Sequence, residues 1–319
     1  PEEAVLEGAG RILAEAGVAP REVGLVVHGT TLATNALIER KGARTALVTT
    51  AGFRDSVEIA WEHRFDQYDL LMERPEPLVP RNLRLGVPER VAADGAVLLP
   101  LDEAALRGIA AQLRAAAVQS LAVCFLHSFT NEAHERRAGA ILAAELPGVA
   151  LSLSCEVAPE IREYERASTT IANAYVRPLM DRYLGGLEAG LRAIGIAGPL
   201  LLMMSSGGVT TVETARRFPV RLVESGPAGG AILAQHIAAE NGLDRAVAFD
   251  MGGTTAKLTL LDGLELQRSR QFEVARAYRF IGGSGLPVRI PVIELVEIGA
   301  GGGSIARADA LGRIGVGPD

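Results

Sequence analysis

Residues 245–263 read RAVAFDMGGTTAKLTLLDG. An apolar run ends at Asp250, two glycines and two threonines follow, and a second run then alternates like a strand. A phosphate loop of the G-x-x-x-x-G-K-[ST] type has wider glycine spacing and opens a helix, and a dinucleotide fingerprint also opens a helix. Neither fits. Strand, Gly-Gly-Thr-Thr, strand is a tight hairpin. Gly252 and Gly253 let backbone N–H groups approach an oxyanion and form a nest for phosphate. Thr254 and Thr255 add hydroxyl donors. Asp250 stands close enough to hold a hydrated Mg²⁺ or to orient a nucleophile. Spacing alone leaves an ordinary hairpin turn with a capping aspartate equally open.

The chain around this hairpin has 319 residues, 48% hydrophobic and 22% charged, which is enough apolar material for two domains. A net charge of −6 and a pI near 5.6 argue against a nucleic-acid partner. Cys124 and Cys155 sit inside apolar runs and read as buried thiols; they lack metal-ligand spacing. No apolar stretch is long enough to cross a bilayer and no signal peptide is visible, so the expected setting is the cytoplasm.

Residues 2–16 read as an amphipathic helix. Residues 23–27 read as a buried strand, 28–31 as a turn, 32–40 as a helix and 44–50 as a second strand, the βαβ pattern of a parallel sheet. Residues 61–81 mix charge, aromatics and prolines and read as an ordered excursion. Asp94-Gly95 marks a hairpin. Helix, strand, helix and strand follow to residue 154, with Asn131 a candidate N-cap, so 23–154 reads as one α/β unit. Residues 159–195 read as long helices interrupted at Arg177-Pro178, and 199–207 as a strand ending in a glycine turn.

Three further motifs carry candidate chemistry. SGPAGGA (225–231) is a glycine-rich loop opening a helix, where Gly226, Gly229 and Gly230 permit tight packing or close approach of a ligand. GAGGGS (299–304) places Gly301, Gly302 and Gly303 in a loop that fits against a flat or anionic ligand, or forms a flexible surface loop. HGTT (28–31) follows the first strand. His28 is a core histidine or, beside Thr30, Thr31 and Asn35, a substrate contact at the C-terminal end of a strand, where open α/β sheets bind ligands. REYERAS (162–168) reads as a solvated helix face or an interface contact.

Taken together, HGTTLATNALIERKGARTALVTTAGFRD (28–55), EIREYERASTTIANAYVRP (160–178), SGPAGG (225–230), DMGGTT (250–255) and IGAGGGSIA (298–306) resemble the hydantoinase A/5-oxoprolinase family, which includes acetone carboxylase β-type subunits. FDMGGTT resembles the second phosphate hairpin of the actin/Hsp70/sugar-kinase ATPases. The resemblance implies an α/β, ribonuclease-H-like, actin-like ATPase fold in two domains, 1–165 and 166–319, with the phosphate hairpin at 247–261 and both domains incomplete at the chain ends. It implies a first hairpin of the same type upstream of Pro1, so the sequence is expected to be an internal piece of a longer chain. It also implies ATP and Mg²⁺, with Asp250 as the catalytic and metal-holding carboxylate. The glycines named above and Thr254 and Thr255 would lie at the nucleotide, and His28, Thr30, Thr31 and Asn35 at a small-molecule substrate. The implied activity is ATP-dependent hydrolysis of a cyclic amide of the hydantoin or 5-oxoproline type. Ketone carboxylation, a sugar-kinase-like phosphotransfer and a nucleotide-gated binding module are the alternatives. A hydantoinase B-type partner subunit or domain is expected, with self-association through an exposed sheet edge. Lys257 stands where many members carry aspartate, which puts a second metal-facing carboxylate in doubt and offers a point charge to a phosphate instead.

Overall fold

The computed structural model describes residues 2–72, 74–252, 256–276, 281–298 and 301–317. Gly253, Thr254 and Thr255, at the hairpin tip, lie outside the described residues.

The strand Thr45–Thr50 is buried at all positions. Side chains of a strand alternate between its faces, so both faces must be covered. It lies inside a four-stranded parallel sheet in the order Arg84–Val87, Thr45–Thr50, Ser120–Cys124, Ala150–Leu153. The helices Glu103–Ala115 and Ala133–Glu145 pack beside it. Leu106, Ile109, Ala110 and Leu113 form the buried stripe of the first of these. Asp102 caps that helix by accepting the Ala105 N–H at 2.9 Å. The next helix has Glu132, not the expected Asn131, at its N-cap position; Asn131, one residue earlier, accepts the Ala133 N–H at 3.1 Å. Arg90–Val91 and Val97–Leu99 form the expected hairpin around Gly95, whose φ is +87°. Cys124 and Cys155 are both free and buried.

The first strand departs from the sequence reading. Val26–His28 does not join Thr45–Thr50 in a βαβ unit; it pairs in parallel with Leu200–Met203, with Val26 opposite Leu200 and His28 opposite Leu202. Val209–Thr211 completes this three-stranded sheet. The cause is the core these residues share. Val23 and Val26 pack with Leu184, Leu187, Leu200 and Leu202, and the helix Glu2–Ala16 adds Val5, Leu6 and Leu13 to the same cluster. Gly190 makes room for that helix, since a Cβ there would collide with Leu6.

The expected break at Arg177-Pro178 is also absent. One helix runs from Glu163 to Ala193 with Pro178 inside it. Proline lacks the N–H that would reach the carbonyl of Ala174, a penalty of about 3 kcal/mol in an isolated helix. Tertiary burial offsets it. Ala172, Ala174, Val176, Met180 and Leu184 are all at most 1% exposed, and the Tyr175 carbonyl accepts the Ala43 N–H at 2.8 Å. This helix contributes to both main clusters, so the expected division at 165/166 falls within its first turn.

The hairpin that opened the sequence reading is present. Arg245–Met251 pairs antiparallel with Ala256–Asp262, with Asp250 opposite Lys257. Val296–Ile298 joins the outer edge, placing Ala256 opposite Ile298 and Leu258 opposite Val296.

Candidate functional site

Antiparallel register brings the glycine motifs together. Because Ala256 faces Ile298, the residues after 298 must emerge beside the hairpin tip. They do: the Gly302 N–H donates to the Gly252 carbonyl at 2.9 Å. The loop is closed by the Gly301 N–H donating to Ser304 Oγ at 3.0 Å and the Ser304 N–H donating to the Gly301 carbonyl at 2.8 Å. The amides of Gly301 and Gly302 are thus committed to loop shape. The N–H groups of Gly252 and Gly303 have no partner among the described residues. Asp250 is exposed at the end of its strand.

SGPAGG is not a loop before a helix but the first turns of one, Ser225–Glu240. A helix start presents unpaired N–H groups and the positive end of the backbone dipole, the standard local recipe for holding an anion. The start is pinned to the HGTT turn. The Ser225 hydroxyl is fully buried, donates to the Thr30 carbonyl at 3.2 Å and accepts the Thr30 N–H at 3.4 Å. Glu224, in the left-handed region at φ +65°, donates its N–H to Thr34 Oγ1 at 3.1 Å. A Cβ on Gly226 would stand 3.7 Å from the Thr31 methyl, and one on Gly229 3.7 Å from Met203, both ordinary contacts. A Cβ on Gly230 would meet open space, so packing does not explain that glycine.

Lys257 joins the hairpin to this helix start. Its ammonium pairs with the Glu224 carboxylate, both partly buried. The lysine is therefore not a free point charge awaiting a phosphate, as the sequence alone had left open. It ties the strand that carries the tip to the residue preceding Ser225.

His28 ends its strand half-buried, its Nε2 within 2.7 Å of the Tyr183 hydroxyl. Burial lowers its pKa below the ordinary 6.5, so the ring is neutral near pH 7. Burial likewise raises that of Tyr183, which remains protonated. Thr30 Oγ1 accepts the Leu32 N–H at 3.2 Å. Thr31 and Asn35 are exposed, at the start and on the outer face of the helix Leu32–Ile38. The HGTT turn and the SGPAGG helix start are thus in direct contact, whereas the hairpin reaches them through Lys257 and Glu224. Tyr183, Glu224 and Ser225 were not singled out by sequence reasoning. Ser225 and Glu224 border SGPAGG and so had a local signal; Tyr183 lies 155 residues from His28 and had none.

Among the described residues no group of three or more His, Cys, Asp or Glu side chains is arranged to hold a metal ion. Mg²⁺ typically needs no such cage, because one or two carboxylates and substrate phosphates complete its shell with water. The exposed Asp250 beside a glycine turn fits that kind of binding.

These features describe a mixed α/β protein whose glycine-bearing turns converge on one helix start and one hairpin tip. The chain belongs to the hydantoinase/oxoprolinase family: residues 1–146 match the hydantoinase/oxoprolinase N-terminal region and residues 166–319 match hydantoinase/oxoprolinase. It is 37% identical over 321 residues to the caprolactamase subunit alpha of Pseudomonas jessenii, covering 99% of this chain and 45% of that one. It is 31% identical over 354 residues to the 5-oxoprolinase of Saccharomyces cerevisiae, covering 99% and 26%. The crystal structure of ATP-dependent caprolactamase from P. jessenii superposes with a TM-score of 0.84 at 36% identity, covering 99% of this chain and 45% of that chain. A nucleotide-free acetone carboxylase, solved in work on ATP-dependent acetone carboxylation, superposes with a TM-score of 0.79 at 26% identity, covering 96% and 44%. The likeness agrees with the expected actin-like ATPase fold. The chain spans less than half the length of these relatives. No helix among the described residues is long and apolar enough to cross a membrane.

Proposed function

We propose that this chain is the ATP-using part of a cytoplasmic, multisubunit hydrolase that activates a cyclic amide by phosphoryl transfer from ATP. The observation that carries the reading is the convergence of three glycine-bearing segments: the hairpin tip touches the 301–304 loop through Gly302, and Lys257 ties the hairpin to the helix start at Ser225. Phosphoryl transfer asks a protein mainly for positioning and charge neutralisation. The N–H groups of Gly252 and Gly303 and the helix start would face phosphate oxygens. Asp250 would hold a hydrated Mg²⁺, which supplies charge neutralisation when bound. His28, kept neutral, and Thr30 would offer hydrogen bonds to an uncharged amide. Phosphorylating the amide oxygen makes the ring carbon far more electrophilic: water would add there, the C–N bond would break with the nitrogen taking a proton, and a second water would release phosphate from the ring-opened acyl phosphate, steps that would belong to a hydantoinase B-type partner. A two-domain division near residue 165 fits the two family segments, with the strand Val26–His28 lent to the second half. The acetone carboxylase likeness favours one second reading, the ATP-using subunit of a ketone carboxylase.

ATP hydrolysis by the intact protein with its partner subunit, measured with hydantoin, 5-oxoproline, ε-caprolactam, acetone or glycerol, tests this. Phosphate release stimulated by a cyclic amide, with ring opening, is the expected result. Stimulation by acetone and bicarbonate alone would establish the second reading, and a stable phosphoester of glycerol would overturn both.

A further inference from the structure

Away from the hairpin, a cavity of about 150 Å³ lies between the 57–78 segment, the long helix and the 283–286 turn. Tyr164, Ser168 and Ile171 line it at i, i+4 and i+7, one face of the helix. The Trp61 ring stands edge-on to Tyr164, centroids 5.3 Å apart at 90°, and His63 follows at 5.8 Å from Trp61. Gly283, at φ +90°, closes the wall. A Cβ there would lie 2.8 Å from His63 Nδ1, 3.5 Å from Phe65 and 3.6 Å from Trp61, so any side chain would displace the aromatic lining.

Ser168 is 7% exposed, and neither its hydroxyl nor that of Tyr164 has a hydrogen-bond partner among the described residues. Buried polar groups are normally paired, so an unpaired hydroxyl facing a cavity marks a place for water or a ligand. Burial pushes Tyr164 up to about 12, which keeps its hydroxyl a donor at physiological pH. The charged side chains at the edge, Glu58, Arg74 and Glu76, are exposed to solvent. Glu58 pairs with Arg84, and Arg74 donates to the carbonyls of Ile59 at 3.3 Å and His63 at 3.1 Å. The interior therefore offers flat aromatic surface and uncharged hydroxyls. Its volume corresponds to roughly five water molecules at ~30 Å³ each, the scale of a single small ring.

We infer that this cavity binds a small neutral ring compound bearing a carbonyl, with Tyr164 and Ser168 hydrogen-bonding the polar edge and Trp61 against the ring. The pocket shares no lining residue with the His28 and Thr30 contacts proposed above for the reacting amide, and it rests on geometry alone. Trp61 is the sequence's single tryptophan, so its emission reports occupancy directly. Titration of the chain with ε-caprolactam should give a saturable emission change that Trp61→Phe removes. Ser168→Ala should weaken binding about tenfold through the lost hydrogen bond, and Gly283→Ala by more, with Mg²⁺-ATP affinity unchanged in both. Ser168→Ala is the informative variant should Gly283→Ala fail to fold. The inference is overturned by the absence of a saturable response to the neutral ring, or by a response to 5-oxoproline alone, whose carboxylate would be drawn to Arg74. Amide-stimulated ATP turnover with a silent Trp61 would reject the pocket and keep the proposed reaction. Saturable binding without any ATP turnover would keep the pocket and reject the reaction.

Discussion

The strands Thr45–Thr50 and Arg245–Met251 are both rich in apolar residues, yet they sit in different surroundings. The first is buried at every position inside a parallel sheet. The second alternates: Val247 and Phe249 are 56% exposed and Met251 50%, with Ala246 and Ala248 on the opposite face. Leu260, opposite Val247 across the hairpin, is 60% exposed. An apolar run thus specifies a buried strand only where a layer lies on each side of it. The parallel sheet acts as scaffold, and the hairpin leaves one apolar face of its first strand exposed to solvent.

Truncating one leucine in each region tests that contrast. Leu121 is fully buried, and Leu121→Ala should cost about 2–5 kcal/mol in denaturant unfolding. Leu260→Ala should stay within about 0.5 kcal/mol. Similar losses at the two positions would mean that the hairpin is as tightly packed as the sheet. A smaller effect is expected at His28, between the two regions. As pH falls through 6.5 the unfolded chain takes up a proton that the buried ring resists, so the stability contributed by neutral His28 is present above 6.5 and lost as pH falls from there toward its lower folded value. Thermal melts should therefore show a steeper decline between about pH 7 and pH 5 for the natural chain than for His28→Gln. Parallel curves would show that burial exerts no hold on this ring.

The same contrast explains what could be read in advance. Elements set by local pattern were legible: the buried run at Thr45–Thr50, the Asp94-Gly95 hairpin, and the hairpin whose strands flank Gly-Gly-Thr-Thr. Partnership was not. Val26–His28 is as apolar as a strand of the parallel sheet, and only the core shared with Leu184 and Leu202 sends it to a strand more than 170 residues away. Pro178 signals a helix end by every local rule, and burial on both sides of it overrides the signal. In the candidate site the glycine-rich segments were legible as local clusters, although a Cβ at Gly226, Gly229 or Gly302 would meet only ordinary contacts and one at Gly230 open space. The Glu224–Lys257 pair and the contact of His28 with Tyr183 were not, because each joins groups distant in sequence.

The central claim is that the hairpin tip and the glycine turns around it hold the phosphates of ATP, with Asp250 placing the metal ion. Steady-state ATP hydrolysis by the intact protein carrying Asp250→Asn, at saturating Mg²⁺ and with the fold checked by circular dichroism, tests it most directly. The account predicts a loss on the order of 10²-fold, the scale of removing one electrostatic catalytic group, with the fold unchanged. Turnover equal to that of the unaltered protein would contradict it.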